Sequence, residues 1–548
     1  MLVFVAIAAP VLVAGIAVAF EEWLPLGDLA AMVFQVSRVG TRDTPLVGPY
    51  SARFSHPGPL LFWVGAIPYR LAGSDPRALL VFAASVNVAS VVVIGWVTGR
   101  IGGRTLQVLA ALAVALLLHD LGTDLLVQPW NPFIAALPFL VLLCCAWAGA
   151  LGSRRALFGC AVLGAWVVQA HIGYVPLFVV VSVWLAGWLV LQARRTRARP
   201  APGPPLARPL GGAIALFCML MLPALIDQVF GRQNLSALWR AFVTSPQSRI
   251  GVEDATGIVS RFLQPFGPWI GTEVPLDFGG AMVGAGAWSL VLVWVLLGGL
   301  LAAAWRRGRI DVAVPVSLAL ALDLAAVPVA SRISPPALEY LLLWLHPLGA
   351  FTWLVIVWGL VRLVPWPEVL RRVAPAARVV AAAAAMAVAA TMVPSALEPT
   401  LPDAPQAPTV RAVLDQLAEA TQPGPDPVRV DVTGDTFGQA TAGIVYDLIR
   451  RGLHVRTDIG RDQLVWNEEH RLQPDGQTDS TLTIVVTTAR PAPGAPPRRC
   501  SDDPAQRRIA DASAASSPGD GTDDLVERVY RVEVYEGPAP CVAPAAGP

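Results

Sequence analysis

The residues best suited to chemistry gather in the first sixty positions. An apolar run ends at Phe20 and is followed by Glu21, Glu22 and, after Trp-Leu-Pro-Leu-Gly27, by Asp28. An apolar stretch then leads to Gly40, and a second polar group follows: Arg53-Phe-Ser-His56-Pro57-Gly58-Pro59. A carboxylate set among apolar residues can take the proton of an attacking hydroxyl. An imidazole can carry a proton or hold a substrate. An arginine grips phosphate with two parallel N–H donors. Each has a plainer alternative: Asp28 can cap the helix that follows it, His56 can bond a loop carbonyl, and Arg53 can snorkel to lipid headgroups.

Other ionisable groups recur further on. His119-Asp120 and Asp124 precede Gln128-Pro-Trp130-Asn131-Pro132, where Trp130 reads as an aromatic anchor. Arg332 is the arginine of Ser331-Arg-Ile-Ser-Pro-Pro336, and His171 lies in Gln169-Ala-His-Ile-Gly-Tyr174. Asp227, Asp323 and His346 fall within apolar segments, where an ionisable group is a functional suspect. His56, His119 and His171 could together hold a metal, although their separation follows no ligand spacing. Thr433-Gly-Asp-Thr-Phe-Gly438 lacks the full glycine pattern of a nucleotide loop. Asn234-Leu-Ser236 is a glycosylation sequon by pattern alone.

What must position these groups is a membrane-embedded scaffold. Of 548 residues, 55% are hydrophobic and 14% charged, and the mean hydropathy is +0.57. A soluble domain carries about 25% charged residues, so a plain soluble enzyme and a disordered chain are both excluded. All 40 basic residues are arginine, and a net charge of +1 gives no footing for nucleic acid. Eight runs suit a bilayer: Val3 to Phe20, Ala78 to Val97, Phe133 to Leu151, Tyr174 to Leu191, Leu210 to Phe230, Ala281 to Ala304, Val312 to Ala330 and Ala337 to Val361. Three shorter ones can match a thin patch: Thr105 to Leu118, Ala156 to Ala170 and Val379 to Val393.

Arginine sets the orientation. Arg100 and Arg104, Arg154 and Arg155, the Arg194 to Arg199 run, Arg306 to Arg309, and Arg362 to Arg378 are each separated from the next by two spans. All five loops can therefore face the cytoplasm together. Pro57 to Gly73, short and broken by three prolines, is predicted to lie in the interface, with a twelfth crossing as its alternative. The expected architecture is an α-helical polytopic protein of the plasma membrane. It has about eleven transmembrane helices, interfacial helices in the first outer loop and a cytoplasmic amino terminus. Residues 1–397 form this part. Residues 398–548 are predicted to be a Pro-rich linker and a small extracytoplasmic α/β domain. Its helices fall at Thr409 to Ala420 and Ala440 to Arg451, and its strands at Val428 to Val432, Leu453 to Thr457, Thr481 to Thr487 and Val529 to Tyr535. Cys500 and Cys541 are the cysteines of that domain and can form a disulfide in an oxidising compartment.

The order carboxylate, interfacial helix, His-Pro, second interfacial helix resembles the first outer loop of the GT-C superfamily of membrane glycosyltransferases, of the protein-mannosyltransferase and aminoarabinose-transferase kind. Two departures stand out: Leu29 follows Asp28 where an Asp-Glu pair is usual, and Gly58 displaces a second proline. Residues 48 to 61 also look like a group of actinobacterial multi-pass membrane proteins. The resemblance implies transfer of a sugar from a polyprenyl-phosphate donor to a cell-envelope glycan, lipid or protein, with inversion and with Asp28 as general base. It implies His56 as a second catalytic group, Arg53 and Arg332 as donor-phosphate ligands, and Asp120, Asp124 and Glu22 as acceptor or divalent-metal contacts. The alternatives are a multi-pass transporter or lipid flippase, for which Asp323 would serve, and a non-catalytic envelope scaffold.

Overall fold

The computed structural model describes the chain apart from residues 52–53, 199–206, 245–247, 272–281, 283, 403–405, 422–426, 434–438, 458–479, 489–499, 501–502, 514–528 and 538–548. The chain opens with α1 (Leu2–Ala17), α2 (Gly27–Arg38), a small hairpin of β1 (Tyr50–Ser51) and β2 (Phe54–Ser55), α3 (Leu60–Leu71) and α4 (Arg77–Leu126). The bundle continues with α5 (Ala136–Ala150), α6 (Arg154–Ala170), α7 (Tyr174–Ala198), α8 (Ala207–Leu220) and α9 (Leu222–Phe230). Two shorter helices, α10 (Asn234–Thr244) and α11 (Gly251–Phe262), lead to α12 (Trp288–Arg306), α13 (Ile310–Ala330), α14 (Leu345–Leu363), α15 (Glu368–Thr391) and the one-turn α16 (Val393–Leu397).

By length and apolarity, six of the described helices can cross a bilayer, or seven when the bent pair α8–α9 counts as one span. The number eleven is not reached by length alone: α1, α5 and α6 have 16, 15 and 17 residues. The longest helix, α4, is not straight. At Gly103 its backbone takes φ 64°, the Gln107 amide donates to the Gly95 carbonyl at 2.8 Å, and Asn87 Nδ2 donates to the Leu126 carbonyl at 2.7 Å. In a continuous helix residues 95 and 107 stand about 18 Å apart. Helix α4 is therefore a hairpin of two antiparallel arms that turns between Arg100 and Arg104, where the sequence predicts a loop.

Packing follows composition. Every residue of α5 is buried, as expected for a helix that is apolar all round. Helix α1 lies against α4, and a Cβ on Gly15 would stand 2.5 Å from that of Ala84, so glycine permits the close approach. Asp323 of α13, fully buried, accepts the Thr352 hydroxyl of α14 with both oxygens, at 3.0 and 3.2 Å. Asp311 takes Arg309 and Arg362 at 2.9 Å each. With about 18 Å of length, α3 falls short of the hydrocarbon thickness.

The carboxyl-terminal unit contains α17 (Ala407–Ala420), β3 (Pro427–Thr433), α18 (Gln439–Arg450), β4 (His454–Thr457), β5 (Ser480–Thr488), β6 (Arg507–Ser513) and β7 (Val529–Gly537). The strands form one sheet in the order β4-β3-β5-β7-β6. The first three are parallel, with Val428 opposite Val455, and β7 runs antiparallel to both β5 and β6. Strand β6 was not expected. Its Arg507-Arg508 start and the register shift between Arg508 and Ala510 hide the alternation of an edge strand. Cys500 is disulfide-bonded, whereas Cys541, its predicted partner, lies outside the described residues. Cys144, Cys145, Cys160 and Cys218 are free.

Candidate active site

Asp28 stands in the first turn of α2, directly after Gly27, whose φ of +48° turns the chain into the helix. Its neighbours Leu29, Ala30, Met32 and Val33 are buried, so α2 is anchored along one side and presents Asp28 on another. That side faces a cavity of about 280 Å³, walled by Asp28, Met32 and Gln35 of α2, the loop from Asp43 to Tyr50, and Phe62, Asn131, Asp227 and Arg232. Asp28 Oδ2 accepts the Trp130 indole N–H at 3.1 Å. The indole is itself wedged between Phe133 and Tyr340, with ring centroids 4.8 and 4.9 Å away. Asp28 is exposed toward that cavity, with protein packed around its carboxyl group. Desolvation by the surrounding protein lifts its pKa above the ordinary carboxylate value, and the Trp130 bond draws it partly back.

Another part of the cavity lining is a turn built by Asp227. Its Oδ1 accepts the Arg232 backbone N–H at 3.1 Å, its Oδ2 the Asn234 N–H at 2.9 Å, and its own carbonyl the Gly231 N–H at 2.8 Å. Asp227 is thus spent on holding Arg232 at the cavity edge. Asn234 carries the assembly onward, since its side chain both accepts from Ser55 N–H and donates to Ser55 C=O, at 2.9 Å each. It completes the edge of β2 as another strand would.

His56 supports this wall from behind. Its backbone pairs with Gly48 and Pro49 at 2.9 and 2.7 Å, which fixes the loop that lines the cavity. Its ring is buried, and Nδ1 accepts the Ile172 N–H at 3.0 Å. The His171 ring stands 4.7 Å away, with Nδ1 accepting from Gly173 N–H at 3.2 Å. Two Nδ1 acceptors leave the proton on Nε2 in both rings. Burial pushes both pKa values down, that of His171 to about 4, so the pair is neutral at neutral pH. Gly58, which displaces a proline expected by resemblance, lies under the Gln169 amide with no room for a Cβ.

Of the remaining expected residues, those described stand elsewhere. Arg53 lies outside the described residues. Arg332 donates to the Phe242 carbonyl at 2.7 Å and covers the Phe242 ring, away from the cavity. Asp124 accepts the Thr400 N–H at 3.1 Å, and Glu22 is exposed and pairs with Arg411 at 2.6 Å. Asp120 meets buried His346 Nδ1 at 2.5 Å, and Glu339 approaches His346 Nε2 at 3.6 Å. Glu339 precedes Tyr340, so this cluster braces the turn that backs Trp130. Among the described residues no group of three His, Cys, Asp or Glu is placed to hold a metal ion. Sequence reading did not single out Arg232 or Asn234 as site residues, and took Trp130 as an aromatic anchor. The one local signal was Asp227 followed by Gly231-Arg232, an acid that caps a glycine turn.

No protein-family profile and no curated protein matches the sequence. Among solved structures, the chain is similar to the crystal structure of ArnT from Cupriavidus metallidurans bound to undecaprenyl phosphate. The TM-score is 0.55 at 15% identity, with 100% of this chain and 99% of that one covered. The arabinofuranosyltransferase AftD from mycobacteria also matches, at a TM-score of 0.33 and 17% identity over 98% of this chain and 42% of that one. Over its whole length the chain thus shares its fold with that ArnT structure.

Proposed function

We propose that the protein is an inverting glycosyltransferase. It moves a sugar from a polyprenyl phosphate to a cell-envelope glycan, lipid or protein at the outer face of the plasma membrane. The carrying observation is a cavity lined by both Asp28 and Arg232, in a chain that shares its fold with ArnT over its whole length. The acceptor oxygen attacks the anomeric carbon as the bond from that carbon to the phosphate oxygen breaks. The acceptor's proton goes to Asp28, and the electron pair leaves with the lipid phosphate, whose growing charge Arg232 meets. One displacement inverts the centre. In this reading eleven segments cross the bilayer, residues 1–397 make the membrane part with the amino terminus inside, and residues 398–548 lie outside. The flippase alternative leaned on Asp323, whose two oxygens are engaged by Thr352 inside the helix packing. The reading is tested by reconstituting the protein with a labelled polyprenyl-phosphate sugar and an envelope extract. Transfer of label with release of polyprenyl phosphate supports it, and counterflow of lipid without a covalent product refutes it.

Asp28 must be ionised to act as base, so activity falls as pH drops through its raised pKa. Trp130→Phe removes a bond that favours the ionised form. We expect the acidic limb of the pH–rate profile to move to higher pH in this variant while the alkaline side stays in place. An unmoved acidic limb would detach that limb from Asp28.

A further inference from the structure

The helix that carries Asp28 does not hold its own start. No side chain caps its amino end: the residue at the cap is Leu26, and Gly27 takes a left-handed φ. Residues 18–26, which lead into it, form no regular element. What grips this strap comes largely from the other end of the sequence. Helix α18 packs on α2, and at their contact Gly443 lies on the strap. A Cβ there would press on the Leu26 side chain and stand 3.2 Å from the Pro25 carbonyl. Pro25 and Leu26 are both buried, so neither has free space to retreat into. One turn along α18, Tyr446 reaches Tyr69 of α3. Helix α17 adds Arg411, which pairs with the Glu22 carboxylate at 2.6 Å and reaches the Glu22 carbonyl at 3.4 Å.

We propose that the carboxyl-terminal unit is a positioning part of the carboxylate site: Gly443 and Arg411 seat the strap, and the seated strap fixes where Asp28 points. This rests on the reading of Asp28 as base. The physical reason is leverage. Asp28 lies two residues beyond Leu26, so a shift of the strap passes into it with no intervening rigid element. Trp130, fixed by its own ring contacts, does not follow such a shift, and the Asp28–Trp130 bond then lengthens. A displacement of about 1 Å costs on the order of 10²-fold in rate when a reacting group is misplaced.

The test uses the full chain in lipid nanodiscs and two readouts. In Gly443→Leu, hydrogen exchange of amides 24–30 is expected to rise about tenfold, as for a segment that opens locally, while strands β3 and β5 keep their protection. The transfer rate is expected to fall by about 10²-fold, and the acidic limb of the pH profile to move up as the Trp130 bond is lost. Gly443→Ala is the milder variant should the leucine prevent folding. Combining it with Leu26→Ala makes room for the new methyl and is expected to return both exchange and pH limb toward the parent. Unchanged exchange at 24–30 in Gly443→Leu overturns the proposal. So does faster exchange with an unchanged rate and pH limb. Exchange is read without substrate, so a parent protein that transfers no sugar refutes the glycosyltransferase reading and leaves the docking result to stand separately.

Discussion

Asp28→Asn is expected to lower sugar transfer by about 10²–10⁴-fold, the contribution of a positioned general base, and to raise the melting temperature at neutral pH. The two effects share one cause. Desolvation by the protein packed around it disfavours the charged carboxylate, so Asp28 binds its proton more tightly in the folded chain than in the unfolded one. A group with a raised folded pKa favours the native state at low pH and loses that contribution as pH rises through the raised value. At neutral pH the ionised carboxylate is a strain on the fold. Asparagine keeps the shape and the Trp130 partner while removing the charge. The measurement is a transfer assay with lipid-linked donor beside a thermal melt of the same purified variant. Full activity in a stably inserted Asp28→Asn protein removes Asp28 as base. A lowered melting temperature at neutral pH would mean that the carboxylate serves mainly to hold the start of α2.

The comparison of Asp28 with the other carboxylates shows why position matters more than number. Asp227 also lines the cavity, but its oxygens are engaged by the Arg232 and Asn234 amides. Asp43 lies near Arg38 and Arg42, at 3.8 and 3.6 Å. Asp120 is committed to His346. Asp28 faces cavity space from a helix start, with the Trp130 indole N–H on one of its oxygens.

The sequence made the helical, membrane-type scaffold legible because apolar runs and arginine loops depend on local composition. Even the turn of α4 at Gly102-Gly103 could be read, since Arg100 and Arg104 flank it. The place of Asp28 at a cavity beyond the first apolar run could be anticipated for a related reason: it is an acid just beyond that run. The turn built by Asp227 could not. Arg232 owes its place to a cap by Asp227 and to a bond from Asn234 to Ser55 across 179 residues. No local pattern announces such a contact, and the same asparagine reads as an idle sequon. His56 and Arg332 show the same limit from the other side. Their residue types suit chemistry, but His56 Nδ1 accepts from the Ile172 N–H and Arg332 Nη2 donates to the Phe242 carbonyl, contacts that no local pattern announces. Edge strand β6 escaped because two arginines and a bulge broke its alternation.

Arg232→Ala is the second large effect, an expected loss of about 10²–10³-fold in kcat, the range for deleting one preorganised donor to developing charge. The donor's phosphate gains negative charge only as the glycosidic bond breaks. An arginine aimed at it therefore contributes more in the transition state than in the bound donor, and kcat should fall more than KM rises. Arg232→Lys keeps the charge but loses the planar fork, so it is expected to recover only part of the rate. Arg332→Ala is the contrasting variant. Its guanidinium is bound to the Phe242 carbonyl outside the cavity, and we expect its transfer rate to stay within about twofold of the parent, as for a surface substitution away from the site. Single-turnover rates and polyprenyl-phosphate inhibition, measured on all three, separate the cases. Were Arg332→Ala to lose the rate and Arg232→Ala to keep it, the phosphate would sit on the α10 side of the loop and the cavity beside Asp28 would belong to the acceptor alone.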